Sequence, residues 1–248
     1  MSPEMPSDHR PPLVRLEDLS LFLDFDGTLV NLADRPEGVS LDPSLLPLLK
    51  RLMERLEGRL AIVSGRSIAQ LNMLLEPLAD RLTLVGSHGS EVRMAGANVI
   101  VPEKPAALIG AESLFAETFA DEAGVILEVK SLGVAVHYRL APSAGPRAIA
   151  LAQSWGPRNG LHVQLGKMMV ELRSTGQDKG SGIAALMACA PFDGHCPVFV
   201  GDDDTDEPGF EYCEAAGGFG ILVGTPRPTA ARFRLPDVAA VHGWLAAL

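Results

Sequence analysis

Cysteine is scarce in this chain of 248 residues: there are three, Cys189, Cys196 and Cys213. Their number and scatter exclude a disulfide framework and a cysteine-based zinc site. Long apolar runs are missing as well. None reaches the roughly 18 residues of a membrane span. The opening stretch, MSPEMPSDHRPPLVR, holds acids and prolines in place of the apolar segment of a secretory signal. An excess of positive charge is also absent. The net charge is −10, which argues against nucleic acid as the main partner. No internal repeat or low-complexity tract is visible. The simplest expectation is a reduced, cytoplasmic protein that meets neither membrane nor nucleic acid, with residues 1–16 as a short mobile tail.

What the chain does have is core material, with 47% hydrophobic residues. Its length allows one large domain or two modest ones. Five short apolar runs end in Gly, Ser or Asp: LSLFLDFDG, RLAIVSGR, RLTLVGSHG, CPVFVGDD and FGILVGT. Near-continuous runs of this length suit parallel strands covered on both faces. Helical patterns lie between most of them, such as DPSLLPLLKRLMERLEG, which opens with an Asp cap and an early Pro and stops at Gly58. Alternating strand and helix predicts a doubly wound α/β sheet. The middle of the chain has a different rhythm. It reads helix, strand, strand, twice over: PAALIGAESLFAETFADEAG, VILEVKS and GVAVHYRL, then GPRAIALAQSWG, LHVQLGK and MMVELRS. Alternation such as Glu128–Lys130 against Val129–Ser131 suits a half-exposed antiparallel sheet. Residues 103–176 therefore read as a small α+β domain inserted into a core made of 17–102 and 177–248.

The polar residues collect at the carboxyl ends of the strands, where open α/β sheets bind ligands. Asp24 and Asp26 end the first run, and Ser64, Gly65 and Arg66 the second. His88 and Gly89 follow the third, and Asp202, Asp203, Asp204 and Asp206 the fourth; Lys179 opens the helix before it. Each piece alone has a plainer explanation. A D-x-D is often a turn or a surface acid. GDDDTDE resembles a solvated acidic loop, or a calcium loop without the spacing and closing glutamate of an EF-hand. Lys179 in a first helical turn opposes the helix dipole, which an anion nearby would explain. The joint occurrence, in order, at four strand ends favours one site. Converging carboxylates repel unless a cation sits among them, and hard oxygen donors with few His or Cys favour Mg²⁺. Ser64, Lys179 and glycine-flanked backbone N–H groups are suited to phosphate. One of Asp24 and Asp26 can then attack phosphorus while the other moves protons.

These residues resemble the haloacid dehalogenase superfamily of phosphotransferases. DFDGTL is similar to its first motif, Ser64 to its second, Lys179 to its third and GDDDTDE to its fourth. The resemblance implies a Rossmann-like core with an α/β cap, Asp24 as nucleophile and Asp26 as general acid/base, with Ser64 and Lys179 on the phosphate. It implies Mg²⁺ held by Asp24, the backbone carbonyl of Asp26 and Asp202, with Asp203 close by. More narrowly, GSHGSEVR, HYR, VELRSTGQDKG and GDDDTDE together resemble the trehalose-6-phosphate phosphatase family. That implies a sugar phosphate as substrate and a functional link to a separate trehalose-6-phosphate synthase. It also implies that Glu128, Lys130 and Glu171 meet glucose hydroxyls; the plainer alternative is a solvated sheet face. Gly65, Arg66, His88, Gly89 and Glu91 join the substrate-binding set. Glu91 and Arg93 either pair with each other or line the site, and His137, Tyr138 and Arg139 read as either packing or contact. Phosphatases of sucrose or mannosylglycerate phosphate, a phosphomutase and a non-catalytic sugar-phosphate sensor remain the alternatives.

Overall fold

The computed structural model describes residues 10–32, 41–100, 103–174 and 176–248. In chain order the elements begin with β1 (Leu19–Leu23), α1 (Leu45–Arg55), β2 (Leu60–Val63), α2 (Ile68–Leu75), β3 (Thr83–Gly86) and β4 (Glu91–Arg93). Next come α3 (Ala106–Thr118), β5 (Ile126–Val129), β6 (Gly133–His137), α4 (Gly145–Trp155), β7 (Leu161–Gly166) and β8 (Met169–Ser174). The last are α5 (Lys179–Met187), β9 (Cys196–Gly201), α6 (Glu207–Ala215), β10 (Phe219–Val223), β11 (Phe233–Leu235) and α7 (Val238–Ala247). The chain separates into two compact units, Met1–Ile100 with Asp178–Leu248, and Val101–Gln177.

The first unit is built on a sheet in the order β11-β10-β9-β1-β2-β3-β4. All its pairings are parallel except that of β3 with β4. The apolar runs that predicted parallel strands are buried on both faces for the reason given above. On β1, Leu21 and Leu23 pack into a core with Leu45, Leu49 and Leu52 of α1 and Leu71 and Leu75 of α2. Phe22, pointing the other way, packs with Ile183 and Leu186 of α5 and Phe210 of α6. The chain runs outward from β1 to β2, β3 and β4, and returns on the other side as β9, β10 and β11. The order reverses between β1 and β9, the position where such sheets form a crevice.

Two features differ from expectation. Residues 10–16 are not a loose tail: Pro11 and Leu16 are buried, and the indole N–H of Trp244 donates to the carbonyl of Pro12 at 3.2 Å. Leu16 and Val14 have apolar surface to bury, and the main core takes it. Residues 1–9 of that expected tail, and residue 102 at an expected boundary, lie outside the described residues. The sheet also has two strands that the apolar runs did not show, β4 and β11.

The second unit is an antiparallel sheet in the order β5-β6-β8-β7. Val134 and Val136 of β6 and Val170 and Leu172 of β8 pack on Leu108, Ala111 and Phe115 of α3 and on Ala148 and Ala152 of α4. The register places Glu128 opposite Ala135, Ala135 opposite Glu171, and Glu171 opposite Gln164. Side chains alternate between faces along a strand. That row therefore lies on the face away from α3 and α4.

Candidate active site

The site in the first unit starts where β1 stops. The N–H of Asp24 donates to the carbonyl of Val200, so the end of β1 is tied to β9. The chain then turns at Gly27, which has φ +82°. A side chain is disfavoured there twice over. The backbone is left-handed, and a Cβ would stand 2.1 Å from Oδ2 of Asp202. The glycine is the space into which the carboxylate of Asp202 fits.

Carboxylate oxygens of Asp24, Asp202 and Asp206 lie within 4.8 Å of one another. The ammonium of Lys179, at the start of α5, bridges two of them. It donates to Oδ1 of Asp24 at 2.7 Å and to Oδ1 of Asp206 at 2.6 Å. Asp24 and Lys179 are each only 3% exposed. Burial works against the charge on Lys179, but Asp24, Asp206 and Asp203 outweigh it and hold the ammonium above the usual lysine range. One cation does not balance three acids. Burial, then Asp206 and Asp203, push the carboxyl of Asp202 up to about 7. Burial, then Asp206 and Asp202, also raise Asp24, against the pull of Lys179.

Asp206 is already saturated: its Oδ2 accepts from the N–H groups of Asp202 and Asp203 at 2.9 and 3.0 Å. Its role is to shape the loop. Asp24 and Asp202 are left as the hard oxygen donors, in a cluster with surplus negative charge. A divalent cation fits that donor set. Asp203, expected close by the metal, has one carboxylate oxygen engaged within the loop. Its Oδ1 accepts from the N–H and the hydroxyl of Thr205 at 2.8 and 2.7 Å, capping the single turn Asp204–Asp206.

The side chain of Asp26 is gripped by Arg66, with Nε on Oδ2 at 2.6 Å and Nη2 on Oδ1 at 2.7 Å. Planar two-point pairing of this kind fixes orientation as well as charge. Arg66 itself leaves the end of β2 beside Ser64, whose hydroxyl accepts the N–H of Arg66 at 3.1 Å. Ser64 is buried and its own N–H donates to the carbonyl of Val85. The imidazole of His88 lies over Gly65; a Cβ there would stand 2.6 Å from two ring atoms. Gly89, at φ +99°, backs onto the carbonyl of Asp178, the residue before Lys179. Glu91 is 6% exposed. Its Oε2 accepts from the N–H of Ile68 at 2.7 Å and its Oε1 from the hydroxyl of Ser87 at 2.9 Å. Arg93 donates to the carbonyl of Ala79 at 2.5 Å.

In the second unit, Lys130 donates to Oε1 of Glu171 at 3.0 Å, and His137 Nε2 meets Oε2 of Glu128 at 2.9 Å. The contact with His137, helped by Lys130, holds the carboxyl of Glu128 below its usual range. Glu171 is only 4% exposed, and Gly133 makes room for it: a Cβ on Gly133 would stand 2.6 Å from its Oε1. These side chains thus contact one another on the face away from α3 and α4, with Lys130 and Glu171 as an ion pair.

The family model described as trehalose-phosphatase matches residues 22–239. The chain belongs to the trehalose-phosphatase family. It is 38% identical to the trehalose-6-phosphate phosphatase of Escherichia coli (strain K12), over 94% of this chain and 89% of the relative. A solved structure of a trehalose-6-phosphate phosphatase related protein superposes with a TM-score of 0.71 at 28% identity, covering 92% of this chain and 96% of the other. A haloacid dehalogenase-like hydrolase from B. subtilis shares the fold, with a TM-score of 0.64 at 13% identity over 92% and 99%. As a trehalose-phosphatase the chain is a phosphoric monoester hydrolase on a haloacid dehalogenase-like core. No helix among the described residues is long and apolar enough to cross a membrane.

Within that family frame, one residue stands out as unassigned by the sequence. Asp206 holds the acidic loop together, yet it was one aspartate among four in GDDDTDE. Its distinguishing sign was position, four residues after Asp202 and immediately before α6.

Proposed function

We propose that this chain hydrolyses trehalose 6-phosphate to trehalose and phosphate through an aspartyl-phosphate on Asp24. The buried pairing of Asp24 with Lys179 at the reversal point of the sheet carries this reading. A carboxylate in that position, held by an ammonium and lacking solvent, is a poised nucleophile. An oxygen of Asp24 attacks phosphorus and the bond from phosphorus to the sugar oxygen breaks. Asp26 gives its proton to the departing alkoxide. Asp26 then takes a proton from water as the water oxygen attacks phosphorus, and the Asp24 carboxylate is released. Arg66 holds both oxygens of Asp26, so it must yield one of them for each proton transfer. Ser64, Gly65 and Lys179 bind the phosphate, with His88 and Gly89 beside them. Asp24, Asp202 and the backbone carbonyl of Asp26 would hold Mg²⁺. When bound, that ion offsets the surplus carboxylate charge and the charge on the transferring phosphoryl group.

Sugar recognition is assigned to the second unit, acting as a cap, through Glu128, Lys130 and Glu171. Ionised side chains make strong hydrogen bonds to sugar hydroxyls. A separate trehalose-6-phosphate synthase would supply the substrate, in the cytoplasm. The test is phosphate release from a panel of sugar phosphates, with and without Mg²⁺. Trehalose 6-phosphate should be the preferred substrate, and turnover should need the metal. Preference for sucrose or mannosylglycerate phosphate would reassign the substrate, and absence of turnover on all of them would reject catalysis.

The cap assignment makes its own prediction. Glu128→Ala, Lys130→Ala or Glu171→Ala should lower kcat/KM for trehalose 6-phosphate by ~10-fold or more, equivalent to about 1.4 kcal/mol of transition-state binding. Hydrolysis of a small aryl phosphate, which offers no sugar, should change much less. Equal losses on both substrates would place these residues in the fold or the chemistry instead.

A further inference from the structure

We propose that Glu91 is a positioning residue for the phosphoryl-transfer site, acting through the left-handed turn Ser87–His88 and touching no substrate. This builds on the phosphatase reading above. Two successive non-glycine residues leave β3 with positive φ, 49° at Ser87 and 54° at His88. That conformation is unfavourable for side-chain-bearing residues and persists where the surroundings over-determine it.

Here the surroundings are specific. The N–H of Ser87 donates to the carbonyl of Arg66 at 2.8 Å, and the N–H of His88 to the carbonyl of Ser64 at 3.0 Å. The left-handed pair thus holds the segment that carries Ser64 and Arg66. On its other side, Gly89 abuts the carbonyl of Asp178, and a Cβ on Gly182 of α5 would stand 3.2 Å from Cα of Gly89. The turn therefore lies between the segment that binds phosphate and grips Asp26, and the helix that presents Lys179.

Glu91 ties the turn to the start of α2 with one carboxylate. Oε1 accepts from the Ser87 hydroxyl, and Oε2 from the N–H of Ile68 in the first turn of α2. That N–H belongs to a helix start whose other cap is the Ser67–Gln70 pair. Without Glu91 the Ile68 N–H is left buried, and Ser87 loses the contact that offsets its strained backbone. Small displacements of a catalytic group cost rate steeply.

The experiment compares Glu91→Ala with Glu91→Gln. A glutamine amide can accept from Ile68 through its oxygen and donate to Ser87 through its nitrogen. We expect Glu91→Ala to lower kcat ~10-fold or more on trehalose 6-phosphate and on a small aryl phosphate alike, with KM within ~2-fold. Glu91→Gln should recover kcat to within ~3-fold of the parent. Hydrogen exchange at the Ser87 and His88 amides, measured without substrate, should quicken in Glu91→Ala and return in Glu91→Gln. That readout is independent of any activity, so its failure sinks the pinning role even where the phosphatase reading stands, and failure of the parent on every substrate sinks only the latter. If Glu91→Ala does not fold, Ser87→Ala, which removes the hydroxyl contact alone, should show the same equal loss on both substrates to a smaller degree. A loss confined to the sugar phosphate, a raised KM with unchanged kcat, or a glutamine no better than alanine would overturn the proposal.

Discussion

Asp24→Asn should show no phosphate release above background, while unfolding at the same denaturant concentration as the parent to within experimental scatter. The amide has the size of the carboxylate and its oxygen can still accept from Lys179, which donates to Oδ1 of Asp24 at 2.7 Å. Packing around β1 is therefore kept. What is lost is the nucleophile, because an uncharged amide does not attack phosphorus. Removing the first covalent step takes away the whole two-step route, so the loss should reach at least ~10⁴-fold, about 5.5 kcal/mol of barrier. Turnover within tenfold of the parent, in a preparation free of contaminating phosphatase, would move the nucleophile elsewhere.

Lys179→Met should be severely damaging, though less so than Asp24→Asn, and unlike that variant should also destabilise the protein. Methionine fills much of the same space without the charge. Asp24 and Asp206 then face each other, buried, with no cation between them. Removing one partner of a buried ion pair typically costs about 3–5 kcal/mol, and loss of a positive group at the phosphate typically costs ~10²–10³-fold in rate. The pH dependence follows from the direction of the carboxyl shifts. Asp24 and Asp206 are both raised in the folded parent, chiefly by burial and against the pull of Lys179. Without Lys179 they rise further. A carboxyl raised in the folded state binds its proton more tightly there than in the unfolded chain, so it favours folding more as pH falls toward the ordinary carboxylate value, about 3.9. The variant should therefore be weakest at neutral and alkaline pH and recover part of its deficit near pH 5. Denaturation midpoints at pH 7.5 and pH 5 check this. A deficit that does not change with pH would mean that the lysine matters for packing and not for charge.

Much of this site was legible in the sequence because strand ends and charge are local properties. Five of the six parallel strands announced themselves as apolar runs, and Asp24, Lys179 and Asp202 stood at or beside their ends. Other parts depend on information that a run of letters does not carry. β4 and β11 have three residues each, too few to display a period. Asp206 was indistinguishable from its acidic neighbours. It turns inward because the single turn Asp204–Asp206 rotates it toward Gly201, where a Cβ would stand 2.4 Å from its Cγ. Arg66 was expected on the substrate, and the structure pairs it with Asp26. Nothing local to SGR could reveal a partner 40 positions away. Glu91 was expected among the ligand-facing residues; one of its partners, Ser87, is four residues away, but the other, Ile68, lies 23 positions back at the start of α2.

The pairing of Asp24 with Lys179 joins positions 155 apart in the chain. β1 completes its place in the sheet only by pairing with β9, from Leu19 against Cys196 to Leu23 against Val200. During synthesis, then, β1 leaves the ribosome with one flank unpartnered and waits for the final third of the chain. Contacts of such long range slow folding, since the intervening loop must close before they form. Within the intervening stretch, Val101–Gln177 has its own core of Phe115, Val134, Val170 and Leu172 and can condense by itself. The catalytic cluster is therefore completed late in the chain. Its lysine and its second carboxylate come in on α5 and β9, the segments that also shield the open flank of β1, so a truncated chain would be both catalytically silent and prone to edge-to-edge association.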